Sequence, residues 1–175
     1  MTTTKSGFLS RVTRAARLES AVYEEVESDR SAMAQSVAVT LLSGVATGIG
    51  SLLVGDLIGL LNAVFLSVAA WLSCGVAAWT VGTRILAEPE TRANFAEVLR
   101  VTGFASAPGL LRVFGIAPLV GGLVFVVTGF WMLVAMVIAI RQTLDYHSTW
   151  RAFVVAGIAW IFFVSVSLLP FAFRW

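Results

Sequence analysis

Residues 100–112 read RVTGFASAPGLLR, and whether this stretch crosses a bilayer decides the fold. On either side of it the chain is plain. Four stretches carry no charged residue: 31–55, 57–83, 113–140 and 152–173. Each exceeds the roughly 20 apolar residues that an α-helix needs to cross a bilayer core of about 30 Å. Lipid is therefore the solvent for most of the molecule, and it admits only backbone whose polar groups are satisfied internally. The expected architecture is an all-α, polytopic membrane helical bundle.

Composition agrees. The chain is 58% hydrophobic and 13% charged, against about 25% charged in a soluble domain. A chain of 175 residues with so little polar surface would not cover a water-soluble core. A net charge of +2 does not suggest nucleic-acid binding, so charge position matters more than charge sum. The single cysteine, Cys74, lies deep in the second apolar run. It excludes an intramolecular disulfide and a cysteine-built metal site, and reads as a buried, inert thiol. The first apolar run is too long for a signal-peptide core and is expected to be a retained span.

The chain divides into an N-terminal tail, residues 1–30, and a transmembrane domain, residues 31–175. Along residues 7–29 the apolar side chains Phe8, Val12, Ala15, Leu18, Val22 and Val26 recur at helical spacing. Arg11, Arg14 and Arg17 precede Glu19, Glu24, Glu25, Glu27 and Asp29. This pattern predicts one amphipathic helix on the bilayer surface, with Phe8, Arg11, Arg14 and Arg17 as lipid or partner contacts and an acidic end turned away or toward a partner. The alternative is a helix that packs on the protein's own loops.

Gly44 and Gly48 form a Gly-x-x-x-Gly pair, which lets helix backbones approach closely in lipid; packing within the chain is favoured over a dimer face. Asp56 is expected in a tight hairpin turn facing headgroups. Trp71 and Trp79 lie along the second span, and residues 93–99 can start a new amphipathic segment. The stretch 100–112 then covers only about 18 Å at the α-helical rise of about 1.5 Å per residue. Arg100 and Arg112 snorkelling outward would make up the difference. Gly103, Pro108 and Gly109 would bend it, giving either a kinked third span or a re-entrant segment. Pro118 opens the next span, where proline does little harm, and Trp150 and Trp175 bracket the last like interfacial anchors.

Positive charge does not settle the count. With five spans (about 32–55, 58–83, 96–114, 117–140 and 151–173), the inner side holds Lys5, Arg11, Arg14, Arg17, Arg30, Arg84, Arg92, Arg100, Arg141 and Arg151, leaving Arg112 and Arg174 outside. With four spans, Arg112 and Arg174 exchange places with Arg141 and Arg151. Both schemes put ten basic residues inside and two outside, which fixes an inner N-terminus but not the C-terminus.

Chemistry is thinly represented. His147, the only histidine, sits beside Asp145 and Tyr146; a proton relay or metal site is conceivable there, but a solvated loop residue is the expected reading. No nucleophile elbow, phosphate loop or zinc-protease helix is present. Ser43, Ser51, Ser67, Ser73, Ser165 and Ser167 are expected to bond to their own helices' carbonyls. None of the four clear spans carries an ionisable residue at its middle, which argues against a pump or coupled carrier. No catalytic, cofactor or metal residues are assigned, and the chain is not expected to be an enzyme.

Residues 95–110, FAEVLRVTGFASAPGL, resemble the Gly-aromatic…Pro stretch of the Yip1 family, especially its short prokaryotic members. Ala16-Arg17-Leu18 with residues 22–27, and Trp131 with residues 134–146, resemble the same group; in order and spacing they reach from about residue 8 to 165. The resemblance implies five spans, a cytoplasmic N-terminus and a prokaryotic plasma membrane. Eukaryotic relatives act in vesicle trafficking and bind prenylated small GTPases through a longer N-terminal region. Here that region is short and lacks the Asp-Leu-Tyr-Gly-Pro motif, so small-GTPase binding does not carry over. The expected role is a non-enzymatic scaffold, membrane-organising factor or accessory subunit, whose partners are the bilayer and other membrane proteins or further copies of itself. The alternative is a small transporter or channel for a lipid or apolar solute, lined by residues 103–109.

Overall fold

The computed structural model describes residues 6–52 and 57–172, with side chains through Leu168. Lys5, the turn at Asp56, Arg174 and Trp175 lie outside the described residues. Every regular element within them is helical. Helices α1 (Phe8–Ala16) and α2 (Ser20–Ser28) form a short hairpin. They are followed by α3 (Ala32–Gly50) and by α4 (Leu57–Thr80), which ends in a π-helical turn, Val81–Ile85. Next come α5 (Phe95–Phe104), a 3₁₀ segment (Ala107–Ile116), α6 (Gly121–Thr143) and α7 (Thr149–Ala172). Among the described residues four helices are long and apolar enough to cross a membrane: Ala32–Gly50, Leu57–Ile85, Gly121–Thr143 and Thr149–Leu168.

The N-terminal region departs from a single surface helix. The apolar stripe is continuous in sequence, but the chain breaks at Leu18, whose φ of 64° is left-handed. Two helices folded on each other bury Val12, Ala15, Val22, Tyr23 and Val26 together, covering apolar area that one straight helix would leave to lipid. The hairpin packs on α5 and α6.

The central segment begins at a capping box. Asn94 Oδ1 accepts from the Glu97 amide at 3.0 Å, and a Glu97 carboxylate oxygen accepts from the Asn94 amide at 2.8 Å. The helix keeps α-geometry to Phe104 and then tightens to 3₁₀ from Ala107, with Pro108 in its first turn. This lengthens it. Ten α-residues rise about 15 Å, and ten 3₁₀ residues at about 2.0 Å each rise about 20 Å. Together they match the thickness of the other helices, a length the α-helical estimate of about 18 Å for residues 100–112 does not reach.

Residues 98–109 are all buried. Their small residues track α3: a Cβ on Gly103 would sit 2.7 Å from Ser36 Cβ, one on Gly109 would overlap Ser43, and one on Gly115 would lie 3.2 Å from the Gly50 carbonyl. Contacts on α3 thus recur every seven residues, two α-turns, and on the broken segment every six, two 3₁₀ turns. The segment therefore runs beside α3 in the same direction. Ser36 Oγ fastens it by donating to the Arg100 carbonyl at 2.7 Å, and Trp71 Nε1 of α4 donates to Leu99 O and Thr102 Oγ1 at 3.1 Å each. The other face of α3 meets α4, where Gly48 would place a Cβ 2.9 Å from Leu60 and Gly44 lies against Ser67 and Val64. Through residue 109 the change to 3₁₀ hydrogen bonding is sheltered by protein; beyond it Leu111, Phe114 and Ile116 are exposed.

Helix α6 returns antiparallel, passing Gly115 at Gly121, Gly109 at Met132 and α2 at Gln142. α7 starts beside the loop after α4, where Arg151 donates to the Leu86 and Ala87 carbonyls, and runs back along α4 and α6. The hairpin, the loop after α4 and the α6–α7 loop gather at one end of the bundle.

Candidate functional site

Three arginines set the polar geometry: Arg11 and Arg100 are enclosed by protein, and Arg112 is half-buried. Arg11 is only 1% exposed. Its Nε pairs with Glu25 at 3.0 Å, Nη2 with Asp29 at 2.9 Å, and Nη1 donates to Gln35 Oε1 at 3.0 Å. Each guanidinium nitrogen thus has an acceptor, which is what a buried cation requires. The side chain expected to meet lipid or a partner is thus turned into the protein. The second half of the old stripe folds back and supplies the carboxylates. Arg14 joins the same lattice through Glu25 at 2.7 Å and Glu19 at 3.0 Å, and Ser6 Oγ donates to Glu25 at 2.6 Å. Burial alone would raise the Glu25 carboxyl, but Ser6, Arg14 and Arg11 outweigh it and hold it at about 2. Of the four residues expected at the surface, Phe8 packs on the core cluster and Arg17 stays exposed at the end of α1.

Arg100 is buried as well. Rather than snorkelling, it caps α2: Nε donates to Val26 O at 3.2 Å and Nη2 to Glu27 O. A cation over the last carbonyls of a helix also complements its dipole. The adjacent Glu27 carboxyl moves the opposite way to Glu25. Burial, reinforced by the charges of Glu97 and Asp145, raises it to about 7 despite Arg100 and Thr143.

Arg112 sits at the far end of the broken segment. It leans inward between α3 and α6, with Nε 3.3 Å from Thr128 Oγ1, Nη1 3.4 Å from Thr47 Oγ1, and its carbon 5.6 Å from the Phe125 ring centre. No carboxylate pairs with it among the described residues. Its Nη2 lies 3.7 Å from where a Cβ on Gly129 would stand. That missing side chain opens a groove of about 380 Å³ between α6 and α7, floored by Arg112.

The loop cluster around His147 does not converge. Tyr146 turns inward and donates to Gly82 O at 2.7 Å. Exposed His147 instead meets Glu88, its amide at 3.0 Å and Nδ1 at 3.3 Å. Glu90 lies close by, but Arg151 already faces Glu88 at 3.5 Å, and a cation there would compete with it. Of the serines, Ser51, Ser73 and Ser167 bond back to their own helices, while Ser67 also reaches Thr40 O of α3 at 3.3 Å.

Sequence reasoning missed Gln35 and the Thr47–Thr128–Gly129 surround of Arg112. Gln35 had a signal, being the sole amide side chain in the run 31–55. The threonines had none, because hydroxyls are ordinary in membrane helices.

No curated protein and no solved structure matches the chain. The pattern of the Yip1 domain matches residues 20–169, from α2 into α7. That range takes in the buried broken segment and the four apolar helices, so the protein is a membrane protein and the chain belongs to the Yip1 family.

Proposed function

We propose that the chain is a non-enzymatic scaffold or accessory subunit that crosses the plasma membrane five times and presents a rigid cytoplasmic platform. The observation that carries this reading is the Arg11–Glu25–Asp29–Gln35 lattice, which with Arg100 ties the described part of the N-terminal tail (residues 1–30), from Ser6 on, to the end of the transmembrane domain (residues 31–175). A fixed surface of this kind suits assembly. Its outward side offers Leu9, 75% exposed, with Thr13 and Arg17 one and two turns on. The broken segment, as long as its neighbours, supports counting it as the third crossing. The clustering of Arg11, Arg14, Arg84, Arg100, Arg141 and Arg151 at the hairpin end supports a cytoplasmic N-terminus.

Reporters at the C-terminus and in loop 144–148 test the topology. Five crossings place the C-terminus outside and the loop inside; the reverse pattern rejects them. Gentle detergent extraction tests the role. The chain is expected to co-purify with a membrane partner and to lose it on Leu9→Asp with Arg17→Glu. A chain that runs alone as a single species would sink the scaffold reading. A carrier lined by residues 103–109 would need an opening where Gly103 and Gly109 are packed against Ser36, Ser43 and Met132; solute flux above that of empty vesicles would revive it.

A further inference from the structure

We propose that the groove between α6 and α7 binds one anionic phospholipid, its phosphate on Arg112 and an acyl chain along Phe130, Leu133 and Trp160. Three observations converge on this site. A guanidinium within the depth of a bilayer is costly unless an acceptor or water meets it. Arg112 has only two hydroxyl contacts, both long, and a ring face, so its charge is not neutralised by protein among the described residues. Its remaining N–H donors have no protein acceptor there. A phosphate is the acceptor that matches a guanidinium fork, through two parallel charge-assisted bonds.

The groove supplies the second half of the ligand. Its volume, about 380 Å³, falls within the roughly 300–1,000 Å³ of ligand sites, and its walls are apolar side chains at helical spacing on both helices. Trp160 and Phe163 stack at 4.9 Å to form a flat wall. The rim is open sideways, with Val126 70% and Phe130 69% exposed, toward the hydrocarbon where acyl chains lie. Depth fits as well. Arg112 meets α6 at Thr128, seven residues after Gly121, or about 10 Å below the start of that helix. Gly129 then keeps the way to Arg112 open, because a bulky side chain there would stand between the guanidinium and the opening.

Native mass spectrometry of the full chain in detergent tests this, with phosphatidylglycerol and phosphatidylcholine of identical acyl chains as probes and glycerol phosphate as the soluble arm. One phosphatidylglycerol per chain is expected, retained about tenfold better than phosphatidylcholine, which offers the same phosphate but brings a trimethylammonium cation up against Arg112. Glycerol phosphate should not displace it. Arg112→Gln should abolish the preference. Gly129→Leu should weaken both lipids, and Arg112→Lys should hold phosphatidylglycerol at intermediate strength. Because these variants alter the site independently, the outcome does not hang on one that misfolds. Equal retention of the two lipids by the unaltered chain, an unchanged preference in Arg112→Gln, displacement by glycerol phosphate, or a dimer whose groove excludes lipid would each overturn the proposal.

Discussion

Arg100 and Arg112 flank the same apolar stretch, yet the fold treats them in opposite ways. Arg100 is closed over by α2 and spends its donors on the Val26 and Glu27 carbonyls. Arg112 meets only Thr47, Thr128 and the Phe125 face before reaching an open groove. The difference comes from what covers each end. The hairpin end has a polar cap made of protein, so a cation there becomes structural. The far end has none among the described residues, so its cation is left for whatever the bilayer supplies. Burial of a charge shows that a partner exists, and a half-buried charge without a carboxylate shows where one is wanted.

The largest test falls on the capped end. Arg11→Ala strips Glu25 and Asp29 of their shared cation in a buried lattice, and should destabilise the protein by about 3–5 kcal/mol. Thermal unfolding in detergent reads it; a loss below 1 kcal/mol, on the order of an exposed pair, would mean that the lattice is not closed to water.

The direct form of the comparison is a matched pair. Arg100→Gln keeps one amide donor for the Val26 and Glu27 carbonyls and gives up one bond from a charged donor, a loss of about 1.5–3 kcal/mol. Arg112→Gln gives up two long bonds and removes a charge that is costly in hydrocarbon, so its stability should change by no more than about 1 kcal/mol in lipid-free detergent. Equal losses would erase the distinction between the two ends.

A third test uses glycines in place of charges. Gly103→Val drives a Cβ to 2.7 Å from Ser36 Cβ, an overpacking that costs about 1–3 kcal/mol. Gly129→Ala faces only Arg112 Nη2 at 3.7 Å, ordinary contact, and should be nearly neutral. If both are neutral in unfolding experiments, the broken segment is not held against α3.

These contrasts also mark how far the sequence could be read. Charge-free runs announce the four apolar helices, because lipid-facing helices must be apolar throughout. The central segment is quieter for the same reason: residues 98–109 face protein, so they need neither length nor uniform hydrophobicity. Gly103, Pro108 and Gly109 signal a bend, but nothing in their spacing says that ten residues adopt a 3₁₀ form and stretch the helix. The break at Leu18 is equally silent, since a left-handed leucine leaves no glycine to announce it. Once the chain doubles back there, the acidic half of the stripe lands on Arg11, and a basic surface becomes a buried lattice.

The subtlest test is a titration within α2, where Glu25 and Glu27 are two residues apart and shifted in opposite directions. Glu25, held at about 2 against an ordinary 4.5, contributes stability that is present above pH 4.5 and lost as pH falls toward 2. Glu27, raised to about 7 from 4.5, binds its proton more tightly when folded; its contribution is full below pH 4.5 and is lost as pH rises through 7. The melting temperature of the unaltered chain should therefore decline relative to Glu27→Gln between pH 4.5 and 7, with the gap closing at the acid end. Parallel profiles through that window would mean that Glu27 is hydrated and that the Glu27–Glu97–Asp145 grouping is looser than drawn. No acidic side chain among the described residues accompanies Arg112, so Arg112→Gln should leave the pH profile of the unaltered chain as it is. Both ends would then be distinguished by protons as well as by packing: one titrates because protein has buried a carboxyl among other carboxyls, and the other does not because no carboxyl came.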